Sequence, residues 1–168
     1  MKQLIVLSII SISLFACTSS SSKKEKANLA IAEKYMQAVE TKNAALMDSL
    51  LSDQYIGYGP SVNDSVNKEQ AISAFRENSE NLYESLKYTR HNELAVTVIE
   101  GEALGDWVLN WAYLTIKYKV GNEPVHLWVN VVYRIENGKI VQSRTFYNEA
   151  DVLRQLHFMI TPPQAEIK

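Results

Sequence analysis

The chain has 168 residues, with 17 Lys and Arg against 19 Asp and Glu, and 46% of its residues are hydrophobic. This composition is typical of one globular domain and excludes a disordered or repetitive chain. The net charge of -2 comes without a basic cluster, which argues against nucleic-acid binding. The single cysteine excludes a disulfide framework and a cysteine-rich zinc site.

The first 16 residues have the order of parts of a secretory signal peptide. Lys2 supplies the positive charge, and an apolar run too short to span a bilayer follows it. The run ends in Leu14-Phe15-Ala16-Cys17, which resembles a bacterial lipobox, where the cysteine is acylated after cleavage on its N-terminal side. We therefore expect residues 1–16 to be removed and Cys17 to be lipidated with palmitate-type chains. The alternative is a plain secretory signal with an incidental cysteine.

Acylation of Cys17 would attach the mature chain to a membrane, since two or three acyl chains anchor a protein firmly. Thr18 stands where enterobacterial lipoproteins of the inner membrane have an aspartate. This favours the cell envelope as the location, and the outer membrane, on its periplasmic side or surface, if the organism has two membranes. We expect residues 17–26 to form a lipidated tether, residues 27–160 the domain and residues 161–168 a tail.

Three helices are predicted in the first half of the domain. Apolar residues recur every three or four positions over residues 27–42, which indicates an amphipathic helix. Asn43 is placed to cap a second, short helix. Asn67 and Gln70 have the spacing of a capping box for a third helix over residues 68–83.

The second half of the domain has the alternation of β-strands. From Lys87 onward the apolar period is two, and the pair Asn137-Gly138 is typical of a tight hairpin turn. Four long strands form a predicted antiparallel meander, with a short strand at residues 54–59 before it and a helix from Glu149 to His157 after it. Helices before a long meander predict an α+β fold, in which three N-terminal helices cover one face of a curved antiparallel sheet and leave a cavity.

Four segments carry a resemblance to a known superfamily: Glu33 to Val39, Met47 to Asp53, Val132 to Val141 and Tyr147 to Leu156. In this order they resemble the nuclear transport factor 2-like superfamily, and within it the SnoaL-like polyketide cyclases and ketosteroid isomerases. The resemblance covers about residues 27–158 and implies a cone-shaped, cystatin-like fold. It does not fix the function, because this fold serves isomerases, cyclases, dehydratases and binding modules.

The isomerase pattern implies a helical tyrosine, a carboxylate base after the second helix and a protonated acid on the third long strand. Tyr35 matches the tyrosine, Asn130 replaces the acid, and Tyr58 or Gly59 occupies the position of the base. Neither of the last two can take a proton from carbon at neutral pH. The acidic residue near the tail of SnoaL-like cyclases is replaced by Asn148. The resemblance therefore leaves the catalytic residues unassigned.

Strand alternation separates the residues around position 128 into two rows. His126, Trp128 and Asn130 share one face, and the aliphatic Val125, Leu127, Val129 and Val131 share the other. Because the resemblance places Asn130 inward, we expect the first row to line the pocket. The aliphatic row is then expected on the outer face, where it would join two copies into a homodimer through Val129 and Val131.

The predicted ligand-binding residues are Tyr35, Tyr58, Trp111, His126, Trp128, Asn130 and Asn148. His126 is the candidate acid or base, because an imidazole titrates near neutrality. Each of these residues also has a structural interpretation: a hydrogen-bonded core histidine for His126, core aromatics for the tryptophans and tyrosines, and a helix N-cap for Asn148. No histidine spacing suggests a metal site.

The sequence therefore favours a membrane-anchored domain that binds a small apolar or aromatic molecule, with no cofactor, no metal and no nucleic acid. Two alternatives stay open. One is an isomerase, cyclase or dehydratase that uses His126 as acid or base, with Tyr35 and Asn130 as hydrogen-bond donors. The other is a dimerising scaffold of the cell envelope whose cone is filled by its own side chains.

Overall fold

The computed structural model of the protein describes residues 23–121, 123–159 and 161. The predicted signal peptide, Cys17 and the first part of the predicted tether lie outside these residues. Within the described part, no helix is both long enough and apolar enough to cross a membrane.

The described chain forms helices and strands of an α+β fold, as expected. Helix α1 covers residues 23–40 of the described part. The other elements follow in the order α2 (Ala44–Leu50), β1 (Leu51–Tyr58), β2 (Ser65–Asn67), α3 (Lys68–Asn81), β3 (Tyr83–Val98), β4 (Gly105–Tyr118), β5 (Val125–Glu136), β6 (Lys139–Tyr147) and α4 (Glu149–Gln155).

Six strands form one sheet with the order β2-β1-β6-β5-β4-β3. Strands β3 to β6 make the expected antiparallel meander. The sheet is nevertheless mixed, because β1 pairs in parallel with β6, and the short β2 then pairs antiparallel with β1. The expectation of a purely antiparallel sheet is wrong at this edge. The parallel pairing is possible because the long chain between β1 and β6 returns the last strand to its side.

Side-chain caps begin three of the helices. The Asn43 side chain accepts a hydrogen bond from the Leu46 amide at 2.9 Å, and Asn67 forms the predicted capping box with Gln70. The Asn148 side chain accepts from the Asp151 amide at 3.1 Å at the start of α4. Each cap satisfies an amide that the helix itself leaves without a partner. The predicted starts of these helices are confirmed.

Helix α1 begins earlier than expected, because residues 23–26, predicted as part of the tether, are helical. Lys24 in this segment forms a salt bridge of 2.8 Å with Asp106 at the start of β4. The folded domain therefore includes at least four residues that the predicted boundary excluded.

The hydrophobic core lies between the helices and one face of the sheet. It joins Ala32 of α1, Met47 of α2 and Ile72 of α3 to the inward rows of β4 and β5. Those rows are the even positions from Val108 to Ile116 and the odd positions from Val125 to Ile135.

The expected faces of β5 are reversed. Val129 and Val131 are each 6% exposed and face the helices, whereas Trp128 is 60% exposed on the outer face. Burying the aliphatic row removes apolar surface from water at no cost in unpaired polar groups. Burying the other row would place the polar atoms of His126 and Asn130 where each needs a partner. The placement of Asn130 inward, taken from the resemblance, is therefore wrong.

Candidate functional site

A cavity of about 460 Å³ lies between the sheet and helices α1, α3 and α4. Its floor is aliphatic, with Leu114 and Ile116 from β4 and Leu127, Val129 and Val131 from β5. Its polar groups are mainly phenols. The tyrosines that line it are Tyr35, Tyr83, Tyr88, Tyr118, Tyr133 and Tyr147.

Three of these tyrosines form the more deeply buried part of the lining, which we call the buried phenols: Tyr35, Tyr88 and Tyr133. The rings of Tyr35 and Tyr133 are in contact, with centroids 5.5 Å apart. Burial, and secondarily the neighbouring phenols, raises the pKa of Tyr35 and Tyr133 well above 10.0. Burial and the Glu40 carboxylate likewise raise the pKa of Tyr88. All three hydroxyls are therefore neutral hydrogen-bond donors at physiological pH.

The buried phenols are available to a ligand. Among the described residues, the hydroxyls of these three tyrosines have no hydrogen-bond partner; the tyrosine hydroxyl that has one is that of Tyr55. It lies 2.6 Å from the Ser143 hydroxyl, and Ser143 also lines the cavity. Burial raises the pKa of Tyr55, and its hydrogen bond to Ser143 partly opposes that rise. Tyr55 thus orients the Ser143 hydroxyl at the cavity wall.

The open end of the cavity carries the remaining tyrosines and a carboxylate. Tyr83, Tyr118 and Tyr147 are half-buried there, next to the exposed Glu149. Burial, and then the phenols of Tyr118 and Tyr147, raises the pKa of Tyr83 to about 12. Within the described lining, Glu149 is the single carboxylate, and no Lys, Arg or His side chain lines the cavity. The site can therefore donate hydrogen bonds at depth but offers a proton acceptor only at its open end.

The structure places Tyr35 in the cavity wall, as the sequence predicted. The other six predicted site residues lie elsewhere. Trp111, His126, Trp128 and Asn130 are on the outer face of the sheet, opposite to the cavity. Their expected place in the pocket is wrong because the alternation of β4 and β5 exposes the row to which each belongs.

The outer-face residues have structural partners there. The His126 Nδ1 atom is 3.1 Å from the Thr115 hydroxyl, and the His126 ring stacks on Tyr113 with centroids 5.7 Å apart. The Asn130 side-chain amide donates to the Asn110 carbonyl at 2.8 Å. The Trp128 and Tyr113 rings meet in a T-shaped contact, with centroids 5.2 Å apart. These contacts are those of a packed surface, and they remove the geometric basis for His126 as the acid or base of the pocket.

Tyr58 and Asn148 are also outside the cavity lining. The Tyr58 ring lies under the Arg144 guanidinium, 4.7 Å from the ring centroid. The inward tyrosine of β1 is instead Tyr55, which is buried. Asn148 is exposed and serves as the N-cap of α4, its structural interpretation. Among the described residues, no group of three or more His, Cys, Asp or Glu side chains could hold a metal ion.

Sequence reasoning missed five of the six tyrosines that line the cavity. Tyr133 could have been assigned to the same face as the aliphatic row of β5, because it continues the odd-numbered positions of that row. Tyr83 and Tyr118 belong to two strands and are brought together by pairing, so neither segment alone predicts the contact.

Comparison with known proteins gives a family and a fold. A family model described as the SnoaL-like domain matches residues 32–143. No curated protein sequence matches the chain.

Solved structures similar to the chain include an LEH-like epoxide hydrolase from M. tuberculosis, with a TM-score of 0.61 and 16% identity over 80% of this chain and 92% of that one. A putative polyketide cyclase from Xanthomonas campestris has a TM-score of 0.65 and 10% identity, over 79% and 98% of the two chains. An NTF2-like protein from Burkholderia pseudomallei has a TM-score of 0.61 and 13% identity, over 76% and 95%. At these identities the similarity shows the fold alone, and it confirms the expected one.

Proposed function

Because the chain belongs to the SnoaL-like domain family, we propose that it binds a small apolar or aromatic molecule with a carbonyl or similar oxygen acceptor. The observation that carries this proposal is the combination of an aliphatic floor with the three buried phenols. Apolar walls bind a ligand through burial, and a few fixed polar groups orient it. The ligand's oxygen would accept from Tyr35, Tyr88 or Tyr133.

The size of the cavity supports this proposal. A volume of about 460 Å³ falls within the range of roughly 300–1,000 Å³ that small-molecule pockets have. A scaffold whose cone is filled by its own side chains would not leave this space. The cavity therefore favours ligand binding over the scaffold alternative.

The enzyme alternative loses support from the position of its candidate residues. Proton abstraction from carbon needs a basic group within hydrogen-bond reach of the reacting atom. His126 is on the outer face, and the one carboxylate of the described lining, Glu149, is at the open end and away from the buried phenols. We infer binding without acid–base catalysis by His126.

A titration with 2-acetylnaphthalene, followed by calorimetry, tests the proposed function. Tyr35→Phe, Tyr88→Phe and Tyr133→Phe each remove one donor and keep the ring, and at least one of them should weaken binding about fivefold, the equivalent of about 1 kcal/mol for one hydrogen bond. Tyr113→Phe removes a hydroxyl from the outer face and is the matched control, with unchanged affinity. Absence of binding to the wild type, or wild-type affinity in all three of the cavity variants, would contradict the proposal.

We also propose that two copies pair through the outer face of the sheet, through residues other than those first expected. Val129 and Val131 cannot form that interface, because they are buried against the helices. The outer face exposes Trp111 by 43%, Trp128 by 60% and Phe146 by 47%. Large apolar side chains that share one face of a sheet are typical of an interaction surface.

We further propose that acylated Cys17 anchors the domain in the cell envelope, at the outer membrane if the organism has two membranes. The lipobox-like residues 14–17 support this proposal. Helix α1 is already formed at residue 23, so the anchor would hold the domain close to the bilayer. A mass spectrum of the mature N-terminal peptide should show acyl chains on Cys17, and a free thiol there would contradict the proposal.

A further inference from the structure

The open end of the cavity has its own set of side chains, which we call the mouth cage: Tyr83, Tyr118, Tyr147 and Glu149. Tyr83 begins β3 and lies directly opposite Tyr118 at the end of β4. Their ring centroids are 5.5 Å apart, and the rings are inclined at 56°. Tyr147 ends β6, Glu149 begins α4, and all four side chains line the one cavity.

The members of the mouth cage are close enough to influence one another electrostatically. After burial, the phenols of Tyr118 and Tyr147 raise the pKa of Tyr83, and Tyr147 raises the pKa of Tyr118. The carboxylates of Glu149 and Asp64 raise the pKa of Tyr147, again after burial. The three phenols are thus neutral, and Tyr147 among them lies in the negative field of the Glu149 and Asp64 carboxylates.

The negative charge of the mouth cage has no cationic partner within the cavity. The described lining contains no Lys, Arg or His side chain. Lys42, in the turn between α1 and α2, and Lys119, directly after β4, lie near the mouth cage, but their ammonium groups donate to the backbone carbonyls of Tyr83 and Glu80. In α4, the arginine pairs with Asp151 and not with Glu149.

We propose that the mouth cage binds an organic ammonium ion, held by the rings of Tyr83, Tyr118 and Tyr147 and by the Glu149 carboxylate. Tyrosine rings attract a cation through their electron-rich faces, and the attraction is stronger when the site is partly desolvated. A tertiary or quaternary alkylammonium fits best, because its alkyl groups contact the rings and it is weakly hydrated. This inference rests on the proposed function, since the mouth cage is the open end of the same cavity.

The position of the mouth cage defines the rest of the ligand. An aryl or alkyl group attached to the nitrogen would extend onto the aliphatic floor, toward the buried phenols. A phosphate close to the nitrogen would be repelled by Glu149 and Asp64. The ligand class is therefore an aryl- or alkyl-substituted ammonium without a neighbouring anion, which distinguishes it from a phosphocholine headgroup.

The test compares two probes of the same shape on the full-length chain in a non-ionic detergent. Benzyltrimethylammonium carries the charge, and neopentylbenzene replaces its nitrogen with carbon. We expect the charged probe to bind at least tenfold more tightly. Equal affinities, or binding of neither probe, would overturn this inference. The proposed function is tested separately by 2-acetylnaphthalene and stands if that ketone still binds.

Variants then assign the effect to the mouth cage. Glu149→Gln should weaken binding of the charged probe at least fivefold and leave the neutral probe unchanged. Glu77→Gln makes the same change of charge on the exposed face of α3 and should alter neither. Tyr147→Phe should keep the affinity and Tyr147→Leu should lose it, because the ring and not the hydroxyl binds the cation.

A third probe, phosphocholine, distinguishes a ligand whose ammonium has no neighbouring anion from one that carries a phosphate, as a phosphocholine headgroup does. Phosphocholine should bind at least tenfold more weakly than benzyltrimethylammonium. Phosphocholine binding of equal strength, or a Glu149→Gln variant that keeps full affinity for the charged probe, would overturn the assignment of the ligand class.

Discussion

The buried phenols connect the cavity to the stability of the domain at high pH. The pKa of Tyr35, Tyr88 and Tyr133 is raised above 10.0 in the folded state, mainly by burial. An unfolded chain ionises these groups at their ordinary pKa and is thereby favoured as the pH rises. Their contribution to stability is therefore complete below about pH 10 and is lost as the pH rises through the folded-state values.

An alkaline titration tests whether the domain loses stability as the pH rises. Phenolate absorbance should show the buried phenols ionising only together with the loss of the circular dichroism signal of the fold. The chain has nine tyrosines in all. Ionisation of all nine near pH 10 in a chain that stays folded would contradict the burial described here.

Helix α4 closes one side of the cavity, and a single residue starts it. Glu149, Val152, Leu153 and Leu156 line the cavity, and the Asn148 side chain caps the helix. Asn148→Ala should lower the free energy of unfolding by about 1 kcal/mol, the usual cost of a lost N-cap. Asn148→Asp keeps an accepting oxygen and should stay close to the wild type. Urea unfolding measures both, and an Asn148→Ala variant of unchanged stability would show that the cap contributes nothing.

Most of the elements could be predicted because their signals are local. The caps at Asn43, Asn67 and Asn148 and the turn at Asn137-Gly138 each depend on a few adjacent residues. Asn137 and Gly138 have the positive φ angles, 51° and 76°, that the predicted turn requires. The parallel pairing of β1 with β6 depends on contacts between distant segments, and local patterns do not contain it. Strand β2 pairs with the preceding β1, but its three residues are too few to show an alternation.

The prediction of which face of β5 is buried was wrong, although the local pattern on which it depended was correct. Alternation correctly separated the two rows, but it does not say which row is buried. The aliphatic row is buried because it gains most from leaving water, as hydrophobicity alone indicates. The position of Asn130, transferred from the isomerase pattern, outweighed that signal and exchanged the faces.

The candidate site was less predictable than the fold. Tyr35 was identified because it matches a position of the family pattern. The other cavity tyrosines come from β3, β4, β5 and β6, and the fold brings them together. Their chemistry depends on burial and on one another, which a linear sequence does not show.

At the scale of the whole molecule, the proposed dimer contact is formed by the exposed aromatic side chains of the outer face, because Val129 and Val131 are buried against the helices. The wild type should be a dimer by light scattering at micromolar concentrations, and Trp128→Glu should give a monomer by placing a charge in the centre of the outer face. Val62→Glu is the matched control, because Val62 is 91% exposed in the loop before β2. A monomeric wild type, or a dimeric Trp128→Glu variant, would contradict the proposed interface.

The proposed binding requires that the inward face of β5 meets the ligand. NMR of the methyl and aromatic-ring signals of the full-length chain during a titration with 2-acetylnaphthalene measures this directly. The methyl signals of Leu127, Val129 and Val131 should shift as the cavity fills, while the ring signals of His126 and Trp128 stay in place. Shifts confined to His126 and Trp128, with the three aliphatic residues unchanged, would place the ligand on the outer face and contradict the account.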